Sequence, residues 1–265
     1  MNNLDAIFVN VDDFCQAFLP AWQKHLITSG TKQRNKPSRL STSEVMTIVI
    51  SFHQSGYRDF KTYYTGFVCR FLTKEFPELV SYTRMLKLLQ SILVPLCSYL
   101  THRHAKPTGI AFVDSTKLHL IINDQGGIMS VKITTANVDD RKPVPEMADN
   151  LWSTLYGDKG SISGPLEQEL ADKGVRLITD VKKNMKPKMM KLWDRLMLRK
   201  RFIIETVFDQ LKNISQIEHS RHRSCVSFMV NLLAGLIAYS FQPKKPSIKI
   251  TRLEKEALMC RSEVD

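Results

Sequence analysis

Three carboxylates in this 265-residue chain stand where an acid can do chemistry. Asp114 follows the apolar run Ile110 to Val113 and precedes Ser115-Thr116. Asp158 lies within Gly157-Asp158-Lys159-Gly160, where glycines keep the backbone small enough for a metal ion or a phosphate to approach. Glu205 lies in LRKRFIIETVFDQLK, residues 198 to 212. Carboxylates converging from distant parts of a chain suit hard cations such as Mg²⁺, which take oxygen ligands and accept substrate phosphate in the same shell. Two such ions, about 4 Å apart, would activate a water or a 3′-hydroxyl and stabilise the leaving oxygen of a phosphodiester. Each acid also has a plainer reading. An Asp at a strand end is ordinarily a turn or cap residue, and Glu205 reads equally as the i,i+4 partner of Arg201. The seven histidines show no metal spacing, and His119 reads as a strand residue rather than a ligand.

The elements that must position these acids follow from period and breakers. Residues 198 to 212 contain no Gly or Pro and are predicted as one helix. At about 100° per residue, Arg201, Glu205, Asp209 and Lys212 share one sector. Ile203, Ile204, Val207, Phe208 and Leu211 cover much of the rest, so Glu205 is framed by two bases at the edge of a buried face. Arg201 and Lys212 are then placed to contact phosphates. Ile110 to Ile122 reads as strand, Asn123 to Gly127 as a turn, and IMSVKITTANVDD as the returning strand of a hairpin. A helix is predicted over 144–155, a strand end and turn over 155–160, a helix over 165–173 closed by Gly174, and a strand over 175–179. Strands followed by helices, with acids at strand ends, indicate a mixed α/β catalytic domain.

Residues 1 to 105 read as helical. Helices are predicted over 11–26, over 45–53 behind a Ser41 to Glu44 capping box, and over 81–93, the last ended by Pro95. Arg58, Lys61, Arg70, Lys74, Arg84 and Lys87 fit either a helix-turn-helix type DNA reader or the solvated face of a bundle. Lys182, Lys183 and Lys186 form a basic loop, and Arg221 and Arg223 with two histidines read as a DNA-contacting patch or a solvated loop. The run 226–241 is predicted as a core helix, too short for a membrane span, and the chain from 243 on as a loose basic tail.

The net charge is +12 with a pI near 9.5, which points to a polyanionic partner, nucleic acid first. Five scattered cysteines without a CxxC pair argue against a disulfide framework or zinc cluster and fit a reducing cytoplasm. The N-terminus carries acids where a signal peptide needs a basic start.

The set V-D-S-T at 113–116, G-D-K-G at 157–160 and R-x3-E-x6-K at 201–212 resembles the DDE transposases of bacterial insertion sequences. The likeness is nearest to the insertion-sequence family numbered 982, through KLHLIINDQGGIMSVKITTANVDDRKPVPEMA, RKRFIIETVFDQLKNISQIEHSRHRS and NLLAGLIAY. The resemblance implies an RNase H-like mixed sheet with flanking helices at 106–242, preceded by an all-helical, DNA-binding domain at 1–105. It implies Asp114, Asp158 and Glu205 as ligands of two Mg²⁺ (or Mn²⁺) ions, and metal-dependent strand cleavage and transfer at terminal inverted repeats. It also implies a homo-oligomer on DNA, acting in the bacterial cytoplasm. The chain departs from the family at two places: Thr116-Lys117-Leu118-His119 joins two strands directly where the family has a longer connection, and Ser161 replaces a Tyr. The first departure reads as an internal deletion, which puts the register of the Asp114 strand at stake. The other function class open to such a chain is a remnant or regulator that binds the ends without cutting.

Overall fold

The computed structural model describes residues 4–30, 38–115, 118–135, 137–180, 190–215, 217 and 224–249. They fall into two units, Met1–Arg103 with Asp209–Gln242, and His104–Phe208 with Pro243–Asp265.

The first unit is helical among its described residues. It contains α1 (Leu4–Thr28), α2 (Thr42–Phe52), α3 (Phe60–Thr62), a π-helical segment (Tyr63–Val68), α4 (Cys69–Phe71), α5 (Tyr82–Ser91) and α6 (Leu93–His102). The expected capping box is present: Ser41 Oγ accepts from Glu44 N at 3.1 Å, and Glu44 Oε2 accepts from Ser41 N at 2.6 Å. Pro95 does not end a helix as expected. It lies in the first turn of α6, where a missing N–H costs nothing. The predicted core helix near 226–241 is α11 (Cys225–Ser240), whose residues Val230 to Tyr239 are all buried. No helix among the described residues is long and apolar enough to cross a membrane.

The second unit carries the sheet: β1 (Ile110–Ser115), β2 (Leu118–Asn123), β3 (Ile128–Ile133), β4 (Ser153–Gly157) and β5 (Val175–Thr179), in spatial order β3-β2-β1-β4-β5. The long stretch 110–122 is therefore two strands. They pair antiparallel from Ala111↔Asn123 to Ser115↔His119. The β2–β3 hairpin forms as predicted, with Asn123 Oδ1 accepting from Gly127 N at 2.8 Å and Gly126 at φ +68°. β4 and β5 join in parallel, β4 beside β1 and β5 beside β4. The mixed five-stranded sheet with flanking helices is an α/β arrangement consistent with an RNase H-like DDE domain.

The helix expected over 144–155 is only α7 (Val144–Met147), after which the chain turns into β4. α8 (Gly164–Asp172) follows, closed by Gly174 at φ +76°. Strand alternation divides the sheet's side chains between two faces. Ala111, Val113, Ile121, Leu155, Val175 and Leu177 pack in one buried cluster with Val144, Met147, Leu166 and Leu170 of α7 and α8. Phe112 and Tyr156 point to the other face, fully buried, their ring centroids 5.6 Å apart. There α9 (Leu192–Lys200) lies against β4 and β5. The helix expected from 198 to 212 is broken. α9 ends at Lys200, Arg201 caps it, and α10 (Phe202–Asn213) begins.

Candidate active site

β1 and β4 run side by side in register, with Phe112 opposite Tyr156. Carried two residues further, the same register brings Asp114 level with Asp158. The backbone at Asp158 is still extended, at φ −80° and ψ 179°. By the period of two, both carboxylates belong to the Phe112–Tyr156 face, at the C-terminal ends of strands spaced about 4.8 Å apart. This register follows from apolar side chains. Val113 and Leu155 must enter the α7–α8 core, which sends their neighbours to the opposite face.

Asp158 is also a cap residue. It precedes a short 3₁₀ turn, Lys159–Ser161. Its Oδ1 accepts from Ser161 N and from Ser161 Oγ, both at 3.0 Å. Both glycines of the motif have steric reasons. A Cβ on Gly160 would stand 3.2 Å from each carboxylate oxygen of Asp158, and one on Gly157 would stand 3.1 Å from Ser161 Oγ. Backbone closeness thus serves the carboxylate itself, with Ser161 buried behind it.

Glu205 lies in the first turn of α10 and is 59% exposed, with Arg201 Nη2 at 3.3 Å from its Oε1. Arg201 is more enclosed: its Nη1 is buried with no hydrogen-bond partner among the described residues. Ile203, Ile204, Val207, Phe208 and Leu211 are buried as the amphipathic pattern predicted. Asp209 is exposed and Lys212 half-buried. Lys182, Lys183, Lys186, Arg221 and Arg223 lie outside the described residues. His119 is a fully buried strand residue whose Nε2 is 2.7 Å from Thr134 Oγ1.

The donor set suits a hard divalent cation in its chemistry, oxygen ligands only. The β1–β4 pairing, extended past Phe112↔Tyr156, sets Asp114 and Asp158 side by side. Among the described residues, however, no group of three or more His, Cys, Asp or Glu is placed to hold a metal ion.

Among the described residues, the structure also buries a single acid that no sequence motif marks. Asp194 on α9 is 5% exposed. Its Oδ1 accepts from the Tyr156 hydroxyl at 3.0 Å and from Arg176 Nη2 at 3.2 Å. Burial, then the Asp194 charge, pushes the Tyr156 hydroxyl well above its ordinary value. The available signal was an acid three residues before the fully buried Met197, on the apolar stripe of a helix.

No curated protein matches this chain. Residues 112–225, which include all three candidate acids, match the family described as the transposase DDE domain, and that match supports a DDE transposase.

Proposed function

We propose that this protein is the transposase of an insertion sequence of the kind numbered 982, cutting and joining DNA at terminal inverted repeats. What supports the reading is the parallel β1–β4 pairing, with Phe112 opposite Tyr156; carried two residues on, that register sets Asp114 level with Asp158. In this reading Asp114, Asp158 and Glu205 hold divalent metal. A bound pair of ions supplies Lewis acidity for the attacking water or 3′-hydroxyl and for the leaving oxygen. The chain's own residues do the rest. Ser161 fixes the Asp158 carboxylate through Oδ1. Arg201 holds Glu205 and, with Lys212, meets DNA phosphates. Lys182, Lys183, Lys186, Arg221 and Arg223 add basic contacts along the backbone. The helical unit engages the ends, and two copies bring two ends together.

A second reading is a remnant that binds ends without cutting. It is favoured by the direct 116–119 join, read as an internal deletion, and by the absence of a three-acid metal group among the described residues. One experiment decides. The full chain is incubated with end-containing duplex and Mg²⁺ or Mn²⁺, and nicking is followed on gels. Metal-dependent nicking that disappears in Asp158→Ala supports the transposase. No nicking under either metal, with sequence-specific binding retained, leaves the remnant.

A further inference from the structure

The buried Asp194 has no part in the chemistry above. An almost fully buried carboxylate persists only where partners compensate its lost hydration. Its partners here are specific: the Tyr156 hydroxyl at 3.0 Å and the Arg176 guanidinium at 3.2 Å. Their places in the chain matter more than their energy. Tyr156 is two residues before Asp158 on the same strand face, its ring fixed against Phe112, which is two residues before Asp114. Asp194 is in the first turn of α9, and α9 leads through the single residue Arg201 into the turn of α10 that carries Glu205.

We propose that Asp194 is a positioning residue: through its hydrogen bond to Tyr156 it fixes the helix pair bearing Glu205 against the strand bearing Asp158. Arg176, 57% exposed, balances the buried charge. The inference rests on the metal-binding role assigned to Asp158 above. Groups that orient metal ligands from behind commonly matter about 10–100-fold in metal affinity, and the low end applies to a contact one step removed.

The test uses the full chain and Mn²⁺ alone, with bound ion read from the loss of the free-ion electron paramagnetic resonance signal and folding read from thermal melts. Tyr156→Phe keeps the ring stack and removes only the hydroxyl. It is expected to weaken Mn²⁺ binding about tenfold while the melt stays cooperative. Asp194→Asn keeps an oxygen to accept from Tyr156 and is expected to bind Mn²⁺ nearly as the wild type does, whereas Asp194→Ala binds as weakly as Tyr156→Phe. Undiminished binding by Tyr156→Phe overturns the inference alone. Asp194→Asn as weak as Asp194→Ala also overturns it, because charge and not the hydrogen bond then matters. Wild-type binding that is absent, or unaffected by Asp158→Ala, overturns the catalytic reading and this inference with it. If Asp194→Ala does not fold, Tyr156→Phe and Asp194→Asn still decide.

Discussion

At the scale of single residues, the capping role of Asp158 leaves room for the metal-binding role proposed for it. The plain reading, a capping Asp at a strand end, is realised in its two hydrogen bonds from Ser161. Capping through Oδ1 does not consume the carboxylate, because ligating carboxylates are themselves commonly hydrogen-bonded from behind. Gly160→Ala is expected to displace that carboxylate, since the new Cβ would meet both oxygens at 3.2 Å. Metal-dependent nicking should fall by at least about tenfold while the thermal midpoint moves little; an unchanged nicking rate would remove Asp158 from the site. Between pH 7.5 and 5, two histidines contribute acid sensitivity. Burial depresses the His119 and His104 pKa values below the ordinary 6.5. Unfolding therefore takes up protons on acidification. The stability these neutral rings contribute is full above about pH 6.5 and is lost as pH falls through their folded values. Urea midpoints measured from pH 7.5 down to 5 should decline, and His119→Asn should flatten the decline.

At the scale of elements, local signals were a good guide wherever a cap, a turn or a continuous apolar run marks the element. The capping box, the β2–β3 hairpin, α8 with its Gly174 stop, and α11 all follow from local chemistry. The failures share a cause. Ile110 to Ile122 holds no Gly, Pro or Asn, and Asp114-Ser115 alone marks no turn, so the division into β1 and β2 shows only in their antiparallel pairing. The uninterrupted Leu198–Lys212 helix likewise lacks any breaker at Arg201, yet the chain divides there, where the arginine is partly enclosed. Asp194 is not legible in the sequence because a lone acid on an apolar stripe has meaning only beside Tyr156, a residue of a different element. Close packing within the helical unit offers its own test. A Cβ at Gly235 of α11 would stand 2.5 Å from Ile217 Cγ2. Gly235→Ala should lose about 1–3 kcal/mol, despite the better helix propensity of alanine, because the gap is already filled. Chemical denaturation would read it directly, and a stabilised variant would mean that the contact yields.

At the scale of the whole molecule, a net charge of +12 makes affinity for DNA a matter of released counterions. Log affinity should fall linearly with log salt, by about 0.9 for each phosphate neutralised. Lys212→Ala should lower that slope by about one without changing end preference; an unchanged slope would take Lys212 off the DNA. The strand order has a further consequence, in time rather than space. β1, β2 and β3 are joined by short connections and pair with near neighbours, so closing them costs little loop entropy. β4 reaches β1 only across the whole segment that includes β3 and α7, and β5 can join only after β4. Refolding chains should therefore protect the β2–β3 amides from hydrogen exchange before those of β4 and β5. Asp114 is in place with the early meander, whereas Asp158 arrives with the late parallel strands. A chain halted between these two stages would already have much of its sheet and would still lack the pair of acids to which the proposed chemistry is assigned.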